Sequence, residues 1–480
     1  MVTYTELASN LKISQVLTGL WQIADMERDG QTLDAQTTAQ AMQPYVQAGF
    51  TTFDMADHYG SAEVITGTFR KQNPDNPVQL LTKWVPKPGP VTKNEVREAV
   101  QLSLDRMQSD SLDLLQFHAW NYADPVWLDS LFWLQELKEE GLIRHLGVTN
   151  FDAAHLRIAV ASGIEIVSNQ ICYSLIDQRA HGAMTEVCQQ YGVKILAFGT
   201  LAGGFLTEKW LDKPEPKVDE ENTWSQMKYK RFIDVAGGWE KFQPLLQALK
   251  QVAEKHQVPM ATVATRFILD QPAVGGVILG ARLGQNEYVE ENLKIFSTQL
   301  DIEDHQKLQQ AQQLLNPIPG GCGDEYRKPP FLTASGDLSH HLDSMPRPYE
   351  PVTYRGRQKV FSGTSWEDMA GYCRAVRSGD RISVSGTTAT HGSQQIGGSD
   401  AAAQTYFVID KIQGAIESLG GSPEDVVRTR IFVNNINDWE AVARAHGERF
   451  GSIQPANTLV EAKLVGEGYL VEIEAEAWMR

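Results

Sequence analysis

Eight short apolar runs, each followed by a stretch of helical periodicity, constrain this chain more tightly than any other feature of its sequence. VLTGLW, FTTFDM, VQLLTKW, LDLLQFH, IRHLGVT, IEIVSNQ, VKILAFG and GVILG follow one another between residues 12 and 315. The runs are rich in β-branched residues and bounded by Gly, Asp or Asn. Segments such as 93–107 and 127–140 instead repeat apolar residues every three or four positions. Eight strand–helix units predict an α/β fold of the closed (β/α)8 TIM-barrel type, with an open doubly wound sheet as the alternative. No GxGxxG follows a predicted strand, which leaves the dinucleotide site of an open sheet without support.

In such a barrel the functional groups gather where the strands end, because the βα loops converge there over a packed interior. The polar residues at the run ends are Asp54, Lys83, His118, Asn150 and Gln170, joined by the loop after Phe198. Segment 207–240, long, polar and rich in Trp, Lys and Pro, is expected to act as a lid over substrate or cofactor. Beyond 315 the periodicity stops. Residues 316–356 are dense in Pro and Gly and read as a linker between a barrel at 1–315 and a second domain at 357–480. There RISVSG, VVRTRIFV, NTLVEAKL and YLVEIEAEAW alternate with helical stretches near 400–419 and 438–450, the pattern of a small α+β domain.

Composition narrows the function classes. With 42% hydrophobic and 21% charged residues and no apolar run of about 18 residues, a membrane-spanning helix is not expected. The start, MVTYTELASNLKISQV, has neither the basic residues nor the continuous apolar stretch of a secretory signal, so a cytoplasmic location is expected. Cys172, Cys188, Cys322 and Cys373 lack any CxxC or His-rich spacing; neither a disulfide framework nor a metal site is expected. A net charge of -17 opposes sequence-independent nucleic-acid binding, which needs a basic surface.

Hydride addition to a carbonyl needs an acid for the developing alkoxide, and a tyrosine serves if a neighbouring cation lowers its proton affinity. The run ends offer that combination: Asp54 and Tyr59 in FDMADHYG, Lys83 in LLTKW and His118 in LLQFHAW. In this order and context the four resemble the catalytic residues of the aldo-keto reductase superfamily, and the resemblance extends over residues 10–315. GLIRHLGVTNF (141–151) resembles the family's GKIRxIGVSNF, which implies that Thr149 and Asn150 hold a nicotinamide carboxamide, with Gln170 as second partner. Phe198 takes the place of the ring that stacks on the nicotinamide, followed by Gly199, Thr200, Leu201 and Gly203. GVILGARLGQNEYVEENL (276–293) resembles the adenosine-phosphate segment. By that resemblance Arg282 meets the 2′-phosphate of NADPH, Gln285 accompanies it, and Glu291 and Asn292 contact adenine. The spacing from Arg282 to Asn292 is two residues longer than in many bacterial members, and Tyr288 stands where others have Arg or Gln. Gly19, Leu20 and Trp21 match the first strand end, which touches cofactor and substrate. Trp21, Trp84 and Trp120 are expected to line a pocket for an apolar or aromatic carbonyl. The resemblance thus implies an NADP(H)-dependent reductase of a small-molecule aldehyde or ketone.

GYCRAV, RISVSG, EDVVRTRIFVNNINDWEAV, QPANTLVEA and VEIEAEAW resemble the Rid (YjgF-like) family, which implies a chorismate-mutase-like α+β domain and a trimer with ligand sites between subunits. Tyr372 and Glu474 match family site positions; Asn457 stands where imine-hydrolysing members have the arginine that clamps a carboxylate. Trimerisation, ligand binding and imine hydrolysis stay open for this domain. Direct imine reduction, coupled imine hydrolysis and ketone reduction, and cofactor-bound redox sensing stay open for the whole chain.

Overall fold

The first element is a hairpin that the apolar runs do not announce. In the computed structural model, which describes residues 1–28, 30–219, 222–285, 288–327 and 345–480, β1 (Tyr4–Ala8) pairs antiparallel with β2 (Leu11–Ser14). Its Leu7, Leu11 and Ile13 pack against Leu17, Leu81, Leu114 and Leu196 of the barrel interior.

The eight runs form the barrel: β3 (Val16–Gly19), β4 (Thr52–Asp54), β5 (Gln79–Trp84), β6 (Leu114–His118), β7 (Leu146–Thr149), β8 (Ile166–Cys172), β9 (Lys194–Phe198) and β10 (Val274–Gly280). They close in the parallel order β10-β3-β4-β5-β6-β7-β8-β9. Register sets Gly280 beside Gly19, Gly19 beside Asp54, His118 beside Thr149, Thr149 beside Gln170 and Cys172 beside Phe198. The C-terminal strand ends therefore share one rim. Local signals start the surrounding helices: a Thr92–Glu95 capping box opens Lys93–Met107, and the Asp152 side chain caps Ala153–Ala161.

The second domain is a seven-stranded sheet built from β11 (Val352–Tyr354), β12 (Arg357–Val360), β13 (Ala375–Ser378), β14 (Arg381–Thr388), β17 (Val426–Val433), β18 (Ala456–Glu461) and β19 (Val471–Trp478). A separate short pair, β15 (Thr390–His391) and β16 (Gln394–Gln395), accompanies it. The order is β11-β12-β13-β14-β19-β17-β18, antiparallel except for β17 with β18. The sheet begins at Val352, inside the stretch read as linker, because β11 pairs with β12. Residues 328–344 of that stretch lie outside the described residues.

Helix Ala401–Ser418 is buried on nearly every side because it lies between β14 and β19 and the barrel helix Ala153–Ala161. Gly414 permits the approach: a Cβ there would come within 2.5 Å of the Ala123 carbonyl oxygen. At this seam the buried His155 ring stacks on Tyr122 with centroids 3.4 Å apart. It bonds Asp152 at 2.6 Å and Asp410 at 2.9 Å, and Arg449 donates to Asp410 at 2.9 Å. Burial pushes the Asp152 carboxyl up, but His155 and Arg449 more than offset this and hold it well below the ordinary range. Among the described residues no helix is long and apolar enough to cross a membrane.

Lys411, also buried on Ala401–Ser418, donates to the Thr390 carbonyl at 2.5 Å. Burial, reinforced by the Arg374 guanidinium, pushes its ammonium down to about 7, with Glu367 opposing. Between about pH 7 and pH 10 the unfolded chain keeps a proton that the folded chain has released, so this site's contribution to stability rises with pH across that window. Denaturant unfolding of Lys411→Met is expected to show a flatter rise than the wild type between those pH values; an identical slope contradicts the assignment.

Candidate active site

A cavity of about 480 Å³ opens at the barrel's C-terminal rim. At its base Lys83 and Asp54, both 3% exposed, meet across β4 and β5. Lys83 Nζ donates to the two Asp54 oxygens at 2.9 and 2.7 Å and to the Met55 carbonyl at 2.8 Å. Gln170 Nε2 donates to Asp54 Oδ1 at 2.6 Å and to Gln116 Oε1 at 3.0 Å. Burial pushes the Lys83 ammonium down, and the charge and hydrogen bonds of Asp54 oppose this only in part.

Tyr59 lies above this pair, with Lys83 Nζ 5.0 Å from its ring centroid. Trp21 and His58 pack edge-on against the same ring at 4.8 and 4.9 Å. His118, at the end of β6, meets the edge of Trp120 at 4.5 Å and of Tyr326 at 5.6 Å, and Asn150 Nδ2 approaches its Nδ1 at 3.5 Å. The cavity thus brings Asp54, Tyr59, Lys83 and His118 together.

The cavity is also lined by Gly19, Trp21, Trp120, Thr149, Asn150, Gln170, Phe198, Gly199, Thr200, Leu201, Gly203 and Arg282. Asn150 Oδ1 and Thr200 Oγ1 are buried without a hydrogen-bond partner among the described residues. A bound polar group is the usual reason for such atoms. Gly199 and Gly203 have φ of +70° and +64° and lie directly beneath the helix Trp224–Val235; a Cβ on Gly203 would come within 2.8 Å of the Ser225 carbonyl. These glycines let the helix close over the loop after Phe198, and the two unmatched polar atoms fit the carboxamide end of a nicotinamide dinucleotide. Arg282 donates through Nε to Gln22 at 3.2 Å and through Nη2 to Asp25, which fixes it at the rim.

Several expected residues stand elsewhere. Trp84 does not line the cavity: Lys83 points inward, so the two-residue alternation of β5 turns Trp84 outward onto Phe117, 5.4 Å between centroids. Leu20 is fully buried and reaches the rim only through its backbone N–H, which donates to the Asp54 carbonyl. Gln285 and Glu291 are exposed and Asn292 is half-buried; all three lie outside the lining. Conversely, Gln116, Lys228, Tyr229 and Tyr326 belong to the site's surroundings and were not anticipated. Gln116 was legible, two residues before His118 on the same inward face. Lys228 and Tyr229 lie on a helix whose Thr223–Gln226 capping box was also in the sequence. Tyr326, in the Pro/Gly-rich stretch, carries no periodic signal.

In the second domain Tyr372 Oη accepts from Arg374, Asn457 Nδ2 donates to Thr429 Oγ1 at 2.9 Å, and Glu474 pairs with Arg430 at 2.7 Å. Thr429 and Arg430 are successive on β17 and face opposite ways, so Asn457 and Glu474 project from opposite faces of the sheet. One chain does not bring them together.

A family model described as Aldo/keto reductase family matches residues 15–313, and one described as Endoribonuclease L-PSP matches residues 363–479. An uncharacterized protein of Streptomyces coelicolor is 38% identical over 128 residues, 26% of this chain and 96% of its own length. The NADH-specific methylglyoxal reductase of Escherichia coli is 26% identical over 329 residues, 64% of this chain and 97% of its own. The structure of a glycerol dehydrogenase from Gluconobacter oxydans shares the fold, with a TM-score of 0.56, 21% identity and coverage of 66% of this chain and 97% of that one.

Proposed function

The chain belongs to the aldo/keto reductase family, and from that premise we propose that its barrel reduces an aldehyde or ketone to the alcohol with NADPH. The observation that carries this reading is a buried ammonium, held by both oxygens of Asp54, 5.0 Å from the centroid of the Tyr59 ring. A cation beside a phenol favours release of the phenolic proton.

In this reading Tyr59 donates its proton to the carbonyl oxygen, Lys83 stabilises the charge left on the phenol, and Asp54 keeps Lys83 in place. His118 orients the carbonyl oxygen, while Trp21 and Trp120 confine the rest of the substrate. When bound in the cavity, a reduced nicotinamide would supply the hydride for the carbonyl carbon. Phe198 would offer it a stacking face, Asn150, Thr149 and Thr200 would offer polar groups, and Gly19, Gly199, Leu201 and Gly203 line the cavity beside them. Gln170, whose amide nitrogen is committed to Asp54, steadies the ion pair. Arg282 at the rim favours NADPH over NADH because a 2′-phosphate accepts charge-assisted bonds that a ribose hydroxyl does not. The contact between Tyr59 and Lys83 favours turnover over a purely sensing role.

Cofactor oxidation with a panel of aromatic and aliphatic aldehydes and ketones tests the reading. Tyr59→Phe is expected to lower carbonyl reduction by about a hundredfold or more while NADPH binding stays close to wild type; equal turnover would exclude Tyr59 as the acid. Arg282→Ala is expected to weaken NADPH about tenfold and NADH little, and equal losses for the two would remove Arg282 from the phosphate site.

A further inference from the structure

We propose that His58, oriented by Asp57, determines specificity: it accepts a hydrogen bond from a hydroxyl on the carbon next to the carbonyl, so the site selects α-hydroxy carbonyl substrates. This rests on the reductase reading above. His58 immediately precedes Tyr59 in the loop after β4 and lines the cavity with it. Its ring meets that of Tyr59 at 4.9 Å between centroids and 78° between planes, and that of Trp21 at 6.3 Å and 62°. The three rings form one wall beside the proposed acid. With 18% of its side chain exposed, the imidazole is not sealed off.

The carboxylate behind this imidazole is anchored. Asp57 Oδ2 accepts from the Val85 N–H at 3.1 Å, one residue past the end of β5, and the Asp57 N–H donates to the Lys83 carbonyl at 3.0 Å. Arg106 donates to the Asp57 carbonyl at 2.8 Å. Further on, the Tyr59 N–H donates to the Ala56 carbonyl at 3.1 Å and the Ala62 N–H to the Tyr59 carbonyl at 3.0 Å, so the whole loop is held. Asp57 Oδ1 stands 2.8 Å from His58 Nδ1. A carboxylate accepts and does not donate, so Nδ1 carries the proton, and in the neutral ring Nε2 is left as an acceptor. Among the described residues Nε2 has no hydrogen-bond partner. An apolar side chain would pack against Trp21 and Tyr59 equally well; a fixed carboxylate adds control over which ring nitrogen bears the proton.

In the proposed mechanism the carbonyl oxygen lies between Tyr59 and His118, so a substituent on the adjacent carbon runs along the wall that His58 shares with Tyr59. A hydroxyl there meets an acceptor. A methyl or ether group leaves Nε2 unpaired in a confined site, and a site built to hydrogen-bond a hydroxyl discriminates against analogues that lack it. Asp54 does not compete for that hydroxyl, because its oxygens already receive Lys83, Gln170 and Gln116. The unmatched oxygens of Asn150 and Thr200 go with the carboxamide in the reading above.

The test uses the full chain with 2-hydroxyacetophenone and 2-methoxyacetophenone, which share the ring, the carbonyl and an electron-withdrawing oxygen and differ in the donor. Wild type is expected to favour the hydroxy ketone about tenfold or more in kcat/KM. His58→Phe is expected to collapse that ratio, His58→Gln, whose amide oxygen also accepts, to keep part of it, and Asp57→Asn to lower it. A wild-type ratio near unity, or a ratio unchanged in His58→Phe, overturns the assignment and leaves the reductase standing. Phenylglyoxylate reduced in preference to the hydroxy ketone would mean that the ring donates to an anion, and overturns it as well. Reduction of neither ketone counts against the reductase reading. The assignment is then decided by quenching of cavity tryptophan fluorescence, where phenylethanediol should bind more tightly than its terminal methyl ether and lose that advantage in His58→Phe; equal binding overturns it.

Discussion

The buried pair of Lys83 and Asp54 is the interaction on which the rest of the site depends. Two charges removed from water at the top of a barrel are costly unless geometry and further hydrogen bonds compensate. Here the ammonium is held by both carboxylate oxygens and a backbone carbonyl, and the carboxylate also accepts from Gln170 and Gln116. A pair so fully engaged has little freedom, and the ring of Tyr59 is placed against a cation whose position does not drift. The arrangement is an investment in function: apolar residues at these inward positions would pack the barrel as well.

The C-terminal half of the chain bears on the same rim. Asn150 sits at φ of +60° between β7 and the helix Ala153–Ala161. Its carbonyl is clasped by Arg327, while the helix that follows is anchored at His155 by Asp410 and through Arg157 by Asp400 at 2.7 Å. Both aspartates belong to the second domain. Residues 320–327 and the second domain therefore restrain the loop that offers its polar atoms to the cavity mouth, and a chain cut at the end of the barrel would lack these restraints.

Much of this architecture was readable from periodicity. All eight barrel strands coincide with apolar runs, because short β-branched stretches between amphipathic segments have few other solutions. The four residues proposed for the chemistry were found because their types complement one another at successive strand ends. What escaped has physical reasons. The β1–β2 hairpin buries only one face and is too short to stand out. Trp84 was expected in the pocket although its neighbour Lys83 already occupied the inward position. The segment 207–240 conceals the helix Trp224–Val235, whose buried stripe contains a lysine and so breaks the apolar pattern. Asn457 and Glu474 each match a family position, but only strand register reveals that they face opposite ways.

The central claim is that Lys83 acts through Tyr59, and a kinetic double-mutant cycle tests it most directly. Tyr59→Phe, Lys83→Met and the double variant would be compared by kcat/KM for one aldehyde under one set of conditions. If the cation serves only to ready the phenol, the double variant loses no more than Tyr59→Phe alone, as groups acting as a unit do. Losses that multiply would mean that Lys83 contributes independently, and the account of the site would fail.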